Sequence, residues 1–178
     1  MTSEQQTQQA LPTGTWNADP VHSAIGFAVD YLAGTFQGTF SKFEASVSDG
    51  QLRGSAEVSS IQVKDENLEA HLQSPDFFDS ERSPQLTFES REVSRSGDDL
   101  TIQGEITLKG HTASVEIQGH VTDALADPYG NERFGVQLET TVDRTQFGIS
   151  WNNPLPSGDK ALSDDVTIIV GLQLVKAA

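Results

Sequence analysis

Residues 100–121 read LTIQGEITLKGHTASVEIQGHV, and their pattern decides the fold. Leu100, Ile102, Ile106 and Leu108 share one parity, while Thr101, Gln103, Glu105 and Thr107 share the other. Successive side chains on a strand point to opposite sides, so this alternation marks a strand with one buried face. Lys109–Gly110 interrupts it with residues suited to a hairpin turn. Val115, Ile117 and Val121 then resume the apolar series. This one stretch therefore spells two antiparallel strands and the turn between them.

The same period extends outward. Ile25, Phe27 and Val29 alternate near the start, and Phe134, Val136, Leu138 and Val142 do so later. Val166, Ile168, Val170, Leu172 and Leu174 form the longest run. Strands of about ten residues make walls roughly 30 Å tall. Between Phe36 and Val47 the parity changes, because Phe36 and Phe40 lie on one phase and Phe43, Ala45 and Val47 on the other. A β-bulge or sharp bend near Ser41–Lys42 is predicted there, of the kind that helps a sheet curl closed. Leu52 to Val63 reads as the next strand, reached through a turn at Asp49–Gly50, with further turns at Gly97–Asp98 and Tyr129–Gly130. Asp65 to Leu72 predicts a short helix with an acidic first turn, ended by Ser74–Pro75.

The expected fold is all-β: an extended antiparallel up-and-down barrel, lipocalin-like, with one short helical insertion. A β-sandwich fits the alternation almost as well, and the meander favours the barrel. Residues 14–178 are expected to form this single domain, after a disordered polar tail over residues 1–13. Met1 to Pro12, MTSEQQTQQALP, lacks the basic and apolar regions of a secretory signal, so a cytoplasmic location is expected.

Composition narrows the chemistry. With no cysteine, disulfides, thiolate nucleophiles and cysteine metal sites are excluded. Twenty-six acidic against eleven basic residues give a net charge of −15, which repels phosphate backbones and anionic lipid surfaces. Nucleic-acid partners and stable membrane insertion are therefore not expected; no apolar run reaches the length of a membrane span. His22, His71, His111 and His120 show no ligand spacing, so no metal site is expected. Ser23 follows His22, but neighbours on a strand face opposite ways and form no dyad. Phosphate-binding glycine loops are absent. No catalytic residue is assigned.

Nine phenylalanines stand against two tryptophans, two tyrosines and one methionine. They serve either as ordinary core filling or as the lining of a dry cavity. Composition alone does not separate a filled barrel from a hollow one.

Several stretches resemble the YceI-like family of polyisoprenoid-binding proteins. They are Trp16-x-x-Asp19-x-x-His22-Ser23-x-Ile25-x-Phe27, Gly34-x-Phe36-x-x-x-Phe40 and NLEAHLQSPDFFD over 67–79. PQLTFES at 84–90, GEITLKG at 104–110, RTQFGI at 144–149 and Ser163-Asp164-Asp165-Val166 follow in order. Together they span residues 16 to 174. Relatives often carry an Arg-Asp pair where this chain has Leu68-Glu69, which weakens any role for a charged pair there. Many relatives are exported with a signal peptide, so their compartment is not carried over.

The resemblance implies a lipocalin-like barrel with an apolar tunnel holding a long isoprenoid, as in quinones or polyprenyl compounds, or another long-chain lipid. About ten buried carbons at roughly 0.8 kcal/mol each give about 8 kcal/mol before ordering costs. The expected ligand-binding residues are Ile25, Phe27, Val29, Phe36, Phe40, Phe77, Phe78, Phe88, Ile102, Ile106, Leu108, Phe134, Val136, Phe147 and Ile149. No cofactor is expected beyond that ligand, and a neutral headgroup suits the acidic chain unless a cation stands at the mouth. Trp16, Asp19 and Arg144 are expected to close one barrel end, with pairing of Arg144 to Asp143 or Asp164 at the surface as the alternative. Two rival functions stay open: an enzyme using carboxylates, His22 or His71 at the tunnel mouth, and a self-filled interaction module. Oligomeric state is also open, with a homodimer as the candidate that would cover edges or tunnel mouths.

Overall fold

The computed structural model describes residues 10–177. Twelve strand segments run in chain order: β1 (Thr15–Ala18), β2 (Ala24–Tyr31), β3 (Gly34–Phe40), β4 (Phe43–Ser48), β5 (Gln51–Glu57) and β6 (Ile61–Gln62), then β7 (Gln85–Ser96), β8 (Asp99–Leu108), β9 (His111–Val121), β10 (Leu125–Ala126), β11 (Glu132–Asp143) and β12 (Leu162–Lys176). One helix, α1 (Glu66–Gln73), stands between β6 and β7. Asp65 caps it, its side chain accepting from the amides of Asn67 and Leu68.

Three pairs of segments are single walls broken in the middle. β1 and β2 both pair with β12, β1 at Trp16↔Lys176 and β2 at Ile25↔Val170. β3 pairs with β2, and β4 pairs with β1. β5 continues into β6 through a 3-10 turn over Val58–Ser60. Counted this way, and with the two-residue β10 only an appendage on β11, eight antiparallel walls follow one another in an up-and-down meander. The β11–β12 ladder, from Arg133↔Val175 to Asp143↔Asp165, closes the sheet on itself. This is the barrel and not the sandwich, since every wall has hydrogen-bonded neighbours on both sides. The parity change before Val47 is a break between β3 and β4 at Ser41–Lys42, so each segment keeps its own alternation.

Inside, the apolar side chains divide by height into two clusters. At one end Leu11, Trp16, Val47, Leu52, Leu100 and Leu174 pack among Ile102, Phe134 and Val136 as a solid plug. Trp16 stacks edge-on against Phe134 at 4.9 Å and donates its indole N–H to the Thr13 carbonyl at 2.9 Å. Leu11 falls within the segment expected as a tail, and it is 1% exposed in this plug. Residues 1–9 of that segment lie outside the described residues.

A polar knot ties the plugged end from outside. Asp19 accepts from the Val21 amide at 2.9 Å, His22 Nδ1 at 2.7 Å and Arg133 at 3.2 Å. Arg133 also donates to Asp127 at 2.9 Å and to Gln173 at 3.0 Å. The His22 bond, then the Val21 amide and Arg133, outweigh partial burial and lower the Asp19 carboxyl from 3.8 to about 2. Here the sequence expectation is corrected: the arginine meeting Asp19 is Arg133, not Arg144. The Arg133↔Val175 register places Arg133 beside β12 near Asp19, whereas Arg144 lies beyond β11 at the opposite end.

Candidate functional site

At that opposite end the barrel is hollow. A cavity of about 290 Å³ lies between β2, β3, α1, the segment after it, the 3-10 turn Arg144–Phe147 and the start of β12. Its walls are almost entirely carbon. Phe27, Phe36, Phe40 and Phe78 form one side, with ring centroids 5.7 Å apart for Phe27–Phe36 and 6.0 Å for Phe40–Phe78. Across from them Trp151 meets His71 at 4.9 Å and Phe77 at 5.4 Å. Ile25, Phe27, Phe36, Phe78, Val166 and Ile168 all line the space yet are only half-buried. Inward-facing apolar side chains that keep solvent contact mark an empty interior, because a close-packed core leaves no such surface.

Eleven of the expected ligand-binding residues line this cavity: Ile25, Phe27, Val29, Phe36, Phe40, Phe77, Phe78, Ile106, Leu108, Phe147 and Ile149. Four do not. Ile102, Phe134 and Val136 belong to the plug, and Phe88 sits between plug and cavity. Their parity is inward, as expected, but parity says nothing about height along the barrel. The cavity therefore fills one end and does not run through the barrel as a tunnel. Leu68, Leu72, Leu86, Val142, Leu162, Val166 and Ile168 complete the apolar lining. Val142, Val166 and Ile168 share the inward phase of their strands, which was the available signal. Trp151 lies in a loop without periodicity, and nothing in the sequence marks it.

Three polar side chains besides Trp151 reach the lining: Tyr31, His71 and Arg144. Arg144 is 5% exposed, and its guanidinium is spent on the chain itself. It donates to the carbonyls of Ile149 at 2.8 Å, Ser163 at 2.9 Å and Leu162 at 3.4 Å, with Asp164 at 3.6 Å. Burial pushes its pKa down, against the opposing pull of Asp164 and Asp143. The expected cluster with Trp16 and Asp19 does not form, since Arg144 lies at the other barrel end; the alternative partner Asp164 is met, but with the guanidinium buried and not at the surface. Asn152 bonds both the amide and the carbonyl of Leu162, at 3.0 and 2.7 Å, and so helps hold the loop carrying Trp151. Lys109, at the β8–β9 turn, donates to Pro75 and Gly148 and joins the two segments that border the cavity.

His71 Nε2 lies 3.0 Å from Asp76 Oδ2. Among the described residues no serine or threonine hydroxyl bonds to this imidazole, so the pair lacks an adjacent nucleophile. His22 is at the plugged end on Asp19, far from the cavity mouth. Among the described residues no group of three or more His, Asp or Glu is placed to hold a metal ion. No described helix is long and apolar enough to cross a membrane.

A closed eight-walled antiparallel barrel, plugged at one end and hollow and carbon-lined at the other, defines a lipocalin-like β-barrel with an apolar cavity. Within that class, the YceI-like domain model matches residues 16–174, and the chain belongs to the YceI-like family. A UPF0312 protein of Pectobacterium atrosepticum is 30% identical over 164 residues, covering 87% of this chain and 82% of that one. Protein YceI of Escherichia coli is 30% identical over 136 residues, covering 72% and 71%. The solved polyisoprenoid binding domain from Saccharophagus degradans superposes with a TM-score of 0.71 at 10% identity, over 93% of this chain and all of that one. Burkholderia cenocepacia BcnA gives 0.68 at 19% identity, over 90% and 99%. At these identities the structural likeness speaks for the fold.

Proposed function

We propose that the protein is a non-enzymatic binding or carrier protein that takes an isoprenoid, quinone or polyprenyl, or a similar long-chain lipid into the cavity. The single observation carrying this reading is the ring of inward, half-buried apolar side chains around a dry space of about 290 Å³. At roughly 30 Å³ per water-sized group, that space takes on the order of ten carbons, about two isoprene units. Burying them supplies the affinity without polar anchors. The Arg144 guanidinium is engaged by the Ile149 and Ser163 carbonyls, and the net charge of −15 favours a neutral headgroup. The polyisoprenoid-binding description of the Saccharophagus degradans neighbour supports the ligand class. No cofactor is part of this reading. A cytoplasmic location and a homodimer covering the mouth are, and fractionation and light scattering test them.

The deciding experiment is purification from the native host followed by native and denaturing mass spectrometry. A stoichiometric isoprenoid or long-chain lipid released on unfolding is the expected result. A clean protein mass, unchanged and with unshifted melting after incubation with quinones and polyprenols, would overturn the proposal.

A further inference from the structure

We infer that Phe88, flanked by Phe43 and Val115 in the layer directly beneath the cavity lining, limits the depth of the cavity and sets the length of chain it accepts. This rests on the lipid-binding reading above and adds the residue that measures the ligand.

The strands change role at one height. On β7, Leu86 lines the cavity, whereas Ser90 beyond Phe88 is buried and accepts from the Leu52 amide at 2.9 Å. On β8, Ile106 and Leu108 line the cavity, whereas Leu100 and Ile102 are in the plug. Phe43, Phe88 and Val115 lie at the crossover, each packed against both clusters. Phe88 stands opposite Gly54 on one neighbour and Ile106 on the other. Its ring occupies space that Gly104 leaves empty: a Cβ there would fall 2.7 Å from the Phe88 ring and 2.3 Å from the Glu89 carbonyl oxygen. The floor ring is thus seated by a glycine in the next strand.

Behind the floor the wall is thin. β1 pairs with β4 only from Thr15↔Ser48 to Asn17↔Ser46, so Phe43–Ala45 have no partner on that side. A groove of about 700 Å³ lies over this gap, lined by Ala18, Glu44, Arg53 and Glu89 and reaching Phe43 and Phe88 from outside. The two rings therefore lie between the layer beneath the cavity lining and an outer groove. Removing the Phe88 ring makes room for about one further isoprene unit and points the lengthened space toward that groove.

The test is a chain-length series, geraniol, farnesol and geranylgeraniol, titrated into delipidated wild-type protein and the Phe88→Ala variant. Each additional buried methylene gives about a fourfold gain in affinity. Wild-type affinity is expected to level off at geraniol. Phe88→Ala is expected to gain at least tenfold more than wild type between geraniol and farnesol. Should Phe88→Ala not fold, Phe88→Leu keeps an apolar contact over Gly104 and is expected to shift the same ratio about threefold. Binding by all proteins with one common chain-length profile overturns the floor while leaving the lipid reading intact. Failure of wild type to bind any of the three alcohols overturns both.

Discussion

Replacing Arg144 by alanine is expected to cost about 3 kcal/mol of stability and to open the cavity end. The buried guanidinium donates to Ile149, Ser163 and Leu162. Leu162 keeps a donor in Asn152 at 2.7 Å, and Asp164 keeps Lys160 at 2.7 Å. The Ile149 and Ser163 carbonyls lose the arginine donor. A hydrogen bond from a charged donor contributes about 1.5–3 kcal/mol, and removing one member of a buried charged set costs about 3–5 kcal/mol. The relief of arginine desolvation places the sum at the lower end, about 3 kcal/mol. For a chain of this size that lowers the melting temperature by roughly 6–12 °C. Urea denaturation followed by far-UV circular dichroism reads the change, with the slope expected to be unaltered. Arg144→Lys should recover less than half, since a single ammonium does not span a fork of carbonyls. A loss under about 1 kcal/mol for Arg144→Ala would refute the reasoning, because the bonds would then not hold the 149–163 segment.

Four further outcomes follow. The lowered Asp19 pKa means its contribution is fully present above 3.8 and is lost as pH falls toward about 2. Acid titration of wild type against Asp19→Asn should show wild type losing its advantage within that window; equal slopes there would count against the knot. Gly104→Ala should cost about 2 kcal/mol or more, as its Cβ meets the Glu89 backbone, whereas Gly34→Ala has open space and should cost far less; chemical denaturation compares the two. Trp151 lines the cavity and Trp16 is buried in the plug, so lipid addition should change wild-type fluorescence but not that of Trp151→Phe. A farnesol at a hundred times its Kd should also stabilise the protein by about 2.7 kcal/mol.

Much of the barrel was legible because alternation is a local signal. The runs at Leu100–Leu108 and Val166–Leu174 state which side chains face inward, and the structure places them inside. Height is not local. Ile102 and Ile106 look alike in sequence, yet one is plug and the other cavity wall, because that depends on what the neighbouring strands bring to the same level. The arginine that meets Asp19 is illegible for the same reason: only the β11–β12 register decides that it is Arg133 and not Arg144. Trp151 owes its position to Arg144 and Asn152 fastening an irregular loop, a device without a period to detect.

The strand β12 pairs with β1, β2 and β11, joining the start of the barrel to its penultimate wall. Closure consequently waits for residues 162–176. Until residues 162–176 emerge, β2 and β11 are open edges and the cavity lacks the wall carrying Leu162, Val166 and Ile168. Pairings this distant in sequence are slow to form and leave unpaired edges exposed to aggregation meanwhile. A nascent chain cannot form the closed cavity before that segment has emerged, and the unclosed chain is the species a chaperone would meet.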